Sequence, residues 1–248
     1  MMARAMDLKK RVIIVSGASS GIGRAIAQIC YEAGAIVYGV GRRPEIKSDF
    51  YYHSVDVTDH QAFANLCSSI FTKHRALDGL VNCAGVTHPI NESMTIEDKR
   101  KIFSDTVDAN LMSAYLCSEA AVQYLKQSDV SAIVNITSIA AHAGFPNNPA
   151  YVASKGGLKS LTQALAYDYA RWGIRVVSVS PGYFVTNMTQ KSYNDPLLNK
   201  ERANRSLLNR WGDPREIATV VAMLLSPMAS YVTGTDILVD GGWICKGI

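Results

Sequence analysis

Ser16-Gly17-Ala18-Ser19-Ser20-Gly21-Ile22-Gly23 decides how the chain is to be read. Two chemistries compete for it. Gly17-Ala18-Ser19-Ser20-Gly21 satisfies G-x-S-x-G, the strand-to-helix elbow that presents a nucleophilic serine. The same residues put three glycines where a first strand becomes a first helix, which suits the pyrophosphate of a nucleotide. Position separates the two. Only one strand precedes Ser19, so no earlier strand–helix unit could supply the oxyanion loop of a hydrolase. A phosphate-loop NTPase fits poorly too, because no Gly-Lys-Ser/Thr ending follows. What remains is a cradle, spaced G-x-x-x-G-x-G rather than G-x-G-x-x-G. Its glycines let backbone N–H groups approach a diphosphate at a helix N-terminus.

Outward from this turn the chain alternates. β-branched runs predict strands over residues 11–16, 36–40, 51–55, 77–83, 132–137, 175–180 and 237–239. Apolar spacing predicts helices over 21–33, 61–73, 103–125, 151–172 and 214–225. Strands without polar alternation, separated by helices, imply a parallel sheet covered on both faces. The expectation is therefore a doubly wound α/β fold of about seven strands, one domain over residues 1–248. The least regular stretch, 183–208, follows a strand's carboxyl end, where ligands bind in such sheets. It reads as a lid over substrate.

Composition narrows the function. Lys and Arg number 25 against 21 Asp and Glu, a net charge of +4, and the basic residues are scattered. That argues against a nucleic-acid partner. The five cysteines are odd in number and form no C-x-x-C pair, so neither disulfides nor a zinc site is expected. The start, MMARAMDLKKR, is charged and lacks the apolar core of a secretory signal. No run of about 20 apolar residues could span a membrane. A cytoplasmic protein with no membrane partner and no metal is expected.

Tyr151 and Lys155 stand four apart on a predicted helix, so an ammonium faces a phenol. A nearby cation stabilises phenolate, and the expectation is a Tyr151 pKa lowered from about 10. Such a phenol can give a proton to a carbonyl or take one from an alcohol. The same spacing also occurs in idle surface pairs.

The motifs run in a familiar order. Gly17, Gly21 and Gly23 match TGxxxGxG, with Ser16 in place of threonine; Asn82-Cys83-Ala84-Gly85 matches NNAG, with Cys83 in place of an asparagine. Asn110 lies in Asp108-Ala109-Asn110-Leu111, Ser138 follows the fifth strand, and Tyr151 to Lys155 is YxxxK, 13 residues after Ser138. Pro181-Gly182, Thr186 and Asp240-Gly241-Gly242 complete the series. Over nearly its whole length the chain resembles the short-chain dehydrogenases/reductases, with their Rossmann-like sheet.

The resemblance implies an NAD(P)-dependent oxidoreductase that interconverts a ketone and a secondary alcohol. It implies that Ser138 holds the substrate oxygen beside Tyr151, that Lys155 also binds the nicotinamide ribose, and that Asn110 holds a proton-relaying water. An alternative role for Asn110 is to satisfy a helix kink. By the same resemblance, Ser19, Ser20 and Ile22 are expected to join the three glycines at the phosphates, Asn82, Ala84 and Gly85 to belong to the cofactor wall, Asp56 and Val57 to flank the adenine, and Pro181, Gly182, Val185 and Thr186 to lie at the nicotinamide. Homotetramers built from the two long helices are also implied.

NAD-specific sites carry an acid at the end of the second strand. Here Gly41 follows Val40, and Arg42-Arg43 comes next. Guanidinium groups bind a 2′-phosphate well, so NADP(H) is expected to be preferred, with NAD(H) possible. Against this, the pair could be merely solvated, and Ser20 stands where many NADP-using members carry a second basic residue. Residues 139–148 with His88, Asn91, Tyr183, Asn187 and Met188 read as pocket candidates. Their polarity points to a small polar or sugar-like substrate. Two alternatives stand beside this. One is a 3-oxoacyl-[acyl-carrier-protein] reductase, although Asp129 and Trp172 occupy the places where those enzymes carry basic residues, with Lys126 and Arg171 alongside. The other is a non-catalytic NADP(H)-binding sensor, which would be expected to have a broken catalytic set.

Overall fold

β-branched runs bury themselves first, and in the computed structural model, which describes residues 7–246, they form one sheet. Its strands are β1 (Val12–Ser16), β2 (Ile36–Gly41), β3 (Tyr51–Ser54), β4 (Gly79–Asn82), β5 (Ala132–Ile136), β6 (Arg175–Pro181) and β7 (Asp236–Val239). The order is β3-β2-β1-β4-β5-β6-β7, and every pairing is parallel. The fold is the expected Rossmann-like doubly wound sheet. The chain reverses its direction of travel across the sheet between β1 and β4, which opens a crevice at their carboxyl ends.

Alternate residues of each strand face opposite cores. On one face Ile13, Val15, Val134 and Val177 pack with Ile26 of α1 (Gly21–Glu32) and Ile217 and Val221 of α8 (Pro214–Leu225). On the other, Ile14, Leu80, Ile133 and Val176 meet α2 (His60–His74), α4 (Ser113–Leu125) and α5 (Pro149–Tyr169) through Phe63, Leu125 and Leu165. Burying one such side chain contributes about 1.5–3 kcal/mol. Two interdigitated cores therefore hold the strand ends in fixed register.

Three expectations are corrected. The helix predicted over 103–125 starts earlier, as α3 (Ile96–Val107), and passes through a π-helical turn (Asp108–Met112) into α4. Thr95 and Asp98 form a capping box, each side chain bonding the other's backbone N–H at 3.1 and 3.0 Å. The first turns of α3 are solvent-exposed and show no apolar period, so only the cap marked them. Residues 183–208 are not irregular throughout. They contain α6 (Gln190–Asn194) and α7 (Pro196–Asn204), where Asp195 accepts from the N–H groups of Leu197 and Leu198 and Pro196 opens the helix. The helix predicted over 151–172 starts at Pro149 instead, and its last residues, Ala170–Trp172, tighten into a 3-10 turn.

Candidate active site

Ser16 ends β1, and its hydroxyl ties three backbone groups in and just after the neighbouring strand β4. It donates to Val81 O at 3.2 Å and accepts from the N–H groups of Cys83 and Ala84 at 3.0 and 3.1 Å. The glycine turn is thereby pressed against the end of β4. Gly17 has φ +70°, and a Cβ there would lie 2.9 Å from the backbone of Cys83 and Ala84. A Cβ on Gly23 would lie 2.4 Å from Gly17 O. Only glycine fits either place. Helix α1 opens from this turn with no side-chain cap on Ser20 and no acid in its first turn. Its free N–H groups and dipole thus face the crevice with no built-in anion.

The crevice is a cleft of about 1000 Å³. Gly17, Ser19, Ser20, Gly21, Ile22 and Gly23 line it together with Ala84, Gly85, Tyr151, Lys155, Pro181 and Thr186, and a Cβ on Gly21 would lie 3.3 Å from Thr186. Arg42, Arg43, Asp56 and Val57 wall it beyond β2. Both arginines are exposed, and Arg43 reaches back to Ser19 O at 3.4 Å. Gly41 is the last residue of β2, so no carboxylate stands at that strand's end. The cradle and its uncapped helix end fit the diphosphate of a dinucleotide.

Lys155 is only 5% exposed, and its Nζ lies 5.9 Å from the centre of the Tyr151 ring. It donates to Ile136 O at 2.7 Å. Burial lowers its pKa to about 8, with the Cys83 thiol opposing. The Tyr151 phenol is pushed up, not down: burial dominates, and the Ser138 hydroxyl works against it. The expected acidification of Tyr151 by Lys155 is thus corrected for this environment: burial raises the phenol, and the ammonium is directed at the Ile136 carbonyl. Ser138 stands at the end of β5 in extended conformation and accepts from Ala140 N–H at 3.1 Å.

Asn110 sits in the π turn, fully buried. Its Nδ2 donates to Val86 O at 2.9 Å and to Ser154 Oγ at 3.0 Å, and its Oδ1 accepts from Val86 N at 2.7 Å. Every polar atom of the amide is bonded. The side chain knots the segment after β4 to the α3–α4 junction and to α5.

A family model described as Enoyl-(Acyl carrier protein) reductase matches residues 17–244. A 3-oxoacyl-[acyl-carrier-protein] reductase, FabG, of Rickettsia felis is 32% identical, over 96% of this chain and 99% of that protein. The chain is a short-chain dehydrogenase/reductase. Among solved structures, the aldohexose dehydrogenase of Thermoplasma acidophilum superposes with a TM-score of 0.89 at 33% identity, covering 95% of this chain and 94% of its own. A protein described as an NAD(P)-dependent gluconate 5-dehydrogenase of Beutenbergia cavernae, solved with NADP bound at low occupancy, gives 0.88 at 31%, covering 97% and 99%. This short-chain dehydrogenase/reductase is an NAD(P)-dependent oxidoreductase that interconverts ketones and secondary alcohols.

Within this oxidoreductase, three expected cofactor residues stand away from the cleft wall. Asn82 is buried and bonds Ala114 O, Ser118 and Asn135, joining β4, α4 and β5. Gly182 packs against Asp240, where a Cβ would come within 2.7 Å of its Cα. Val185 bonds Gly212 O through its N–H. Of the pocket candidates, His88, Asn187 and Met188 line the cleft. Tyr183 instead lines a separate cavity of about 110 Å³ with Arg202 and Trp243. Asn91 turns onto Ser93.

His142 turns onto side chains of β7 and α5, not into the cleft. Its Nε2 lies 2.8 Å from Asp236 Oδ2, and its Nδ1 lies 3.2 Å from Lys159 Nζ. Burial opposes ionisation of Asp236, but hydrogen bonds from Ser178, Ser180, His142 and Thr137 outweigh it and hold the carboxyl below its ordinary range. Sequence reasoning missed Asp236, Ser154 and the holding role of Ser16. For Ser16 there was a signal, a hydroxyl at the last strand position before Gly17. For Asp236 there was none, since its partners lie 56 to 99 residues away.

Proposed function

We propose that this enzyme prefers NADP(H) and acts on a small polar carbonyl compound of the sugar or sugar-acid class. The observation that carries this is the single cleft joining a carboxylate-free strand end, Arg42 and Arg43 to the Tyr151–Lys155 pair. The arginines would bind the 2′-phosphate; the α1 turn, with Ser19, Ser20 and Ile22, would bind the diphosphate; and Asp56 and Val57 would flank the adenine. Pro181 and Thr186 would bound the nicotinamide, which supplies or accepts the hydride when bound. Asn82, Gly182 and Val185 would support that wall from behind.

Ser138 would hold the substrate oxygen, and Tyr151 would give it a proton or remove one. Lys155 would bind the ribose and supply the local positive charge. Asn110 would act through its knot between Val86 and Ser154, and any relayed water would meet its backbone. Residues 183–208 would form a lid over the substrate within one domain spanning 1–248. Polar His88 and Asn187 on the cleft wall support a hydroxylated substrate, as do the names of the sugar and gluconate dehydrogenases it resembles.

The second reading is a 3-oxoacyl-[acyl-carrier-protein] reductase, favoured by the Rickettsia relative. Arg171 stacks 4.1 Å and Lys126 5.8 Å from the Trp172 ring, so two cations flank the residue that replaces a basic one. Exposed Ile96, Phe103, Met112 and Tyr115 along α3 and α4 support a homotetramer. The free cysteines support a reducing, cytoplasmic setting.

Initial rates with NADPH and NADH against keto-aldonic acids, ketoses and an acetoacetyl thioester test the reading. NADPH should give the higher kcat/KM, with a sugar-class substrate turned over best. Preference for NADH overturns the arginine argument. Turnover of the thioester alone installs the second reading.

A further inference from the structure

We propose that Asp236 is a positioning residue whose carboxylate clamps both ends of the segment bearing Ser138. The proposal rests on the reading that Ser138 holds the substrate oxygen. Thr137 Oγ1 donates to Asp236 Oδ1 at 3.0 Å, and His142 Nε2 donates to Asp236 Oδ2 at 2.8 Å. Between those two anchors lie only Ser138 and the short turn Ile139–Ala141 that Ser138 itself caps. One carboxylate therefore fixes where the serine's segment leaves β5 and where it ends.

The clamp is itself held. Asp236 begins β7 opposite Ser178 of β6. The hydroxyls of Ser178 and Ser180 both donate to its carboxylate, and its side chain is 6% exposed. The single proton of the Thr137 hydroxyl also lies within reach of Val179 O at 2.9 Å and Ser180 Oγ at 2.8 Å, and the carboxylate is the one ionised acceptor among the three. Hydrogen bonds to an ionised acceptor are shorter and about twice as strong as neutral ones. Because the ammonium of Lys159 can only donate, it sets His142 Nδ1 as an acceptor and leaves Nε2–H for the carboxylate. Lys159 follows Tyr151 and Lys155 at successive four-residue steps on α5. The same chain of contacts thus ties the helix bearing the phenol to the segment bearing the serine. Catalytic geometry tolerates little error, and such a brace limits it.

The test uses the full chain, NADPH and the best ketone found. Asp236→Asn should lower kcat by about 10- to 100-fold, the loss that a small misplacement brings. NADPH affinity, read by cofactor fluorescence, should stay within about twofold and KM should move little. The deuterium effect on kcat with 4-deuterated NADPH should rise as chemistry slows. His142→Gln keeps an N–H donor and should hold most of kcat, whereas His142→Leu should fall with Asp236→Asn. The deciding measurement is the double variant. In a Ser138→Ala background, Asp236→Asn should cost nothing more, because its effect runs through the serine.

Additive losses overturn the clamp, as does an Asp236→Asn enzyme with wild-type kcat. If Asp236→Asn does not fold, a His142→Leu enzyme as fast as wild type overturns it instead. Should Ser138→Ala itself leave kcat unchanged, the reading beneath the clamp fails, which is a different result from either.

Discussion

At the α1 end the cleft wall is backbone; at the β5–β7 end it is side chains. Gly17 and Gly23 work by having no Cβ, so that peptide groups come within contact of one another and of whatever lies in the turn. Around Ser138 the opposite holds: Thr137, Ser178, Ser180, His142 and Asp236 saturate one another inside the protein. A phosphate is large, anionic and forgiving, and aligned N–H groups suffice for it. A carbonyl awaiting a proton must be met by one hydroxyl in one place, which needs a braced side chain. On the proposed reading, each half is built for the group it would recognise.

Tyr151→Phe probes the braced half hardest. It removes the proton and keeps the ring, so kcat should fall by about a thousandfold, within the range for a lost general acid–base group, while NADPH titrations match wild type. A Phe enzyme with normal kcat breaks the comparison, since nothing at that end would then depend on a side chain.

In the backbone half, the only side chains asked to discriminate are the arginines. Arg42→Ala with Arg43→Ala should raise KM for NADPH about 10- to 100-fold, as expected for one or two charge-assisted hydrogen bonds, and leave NADH kinetics alone. Equal losses with both cofactors would assign the pair a structural task instead. Gly23→Ala should cost about 1–3 kcal/mol of stability by overpacking and weaken both cofactors alike. Thermal melts and binding titrations check both parts. An alanine enzyme that binds normally would show that the 2.4 Å approach to Gly17 O relaxes freely.

The smallest effect separates function from stability. Below about pH 8 Lys155 is charged in the folded and unfolded chain alike, and its burial penalty is present in full. Between about 8 and its ordinary 10.5 the folded protein has lost the proton and the unfolded one has not, so stability rises with pH there. At about 1.4 kcal/mol per pH unit the penalty near neutrality is on the order of 3 kcal/mol. The lost bond to Ile136 O offsets roughly 1 kcal/mol of that. Lys155→Met should therefore melt a few degrees higher near pH 7, lose turnover, and see its advantage shrink toward pH 10. A melting point at or below wild type would show that the burial is cheaper than its geometry implies.

Local signals were the legible ones. The glycine turn, the buried strands and the Tyr151–Lys155 spacing each declare themselves within a few residues, and the sheet follows from their order. The start of α3 was missed because exposed polar turns carry no apolar period, although Thr95 and Asp98 marked its cap. Helices α6 and α7 hid behind the same polarity. The direction of the Tyr151 shift was misread because spacing reports a nearby charge and says nothing of desolvation. Asp236 was beyond reach altogether: an acid at the start of a short strand gains its meaning only when β5, β6 and β7 lie side by side.

The five thiols divide as sharply as the two walls do. Burial drives Cys30, Cys67 and Cys83 up to about 12 and holds Cys117 high as well, leaving almost no thiolate on any of them near neutrality. Cys245 alone is exposed. The chain thus arrives with a ready single-site handle for a thiol-reactive dye, two residues past Trp243, which itself lines the small cavity beside Tyr183, without any engineered cysteine.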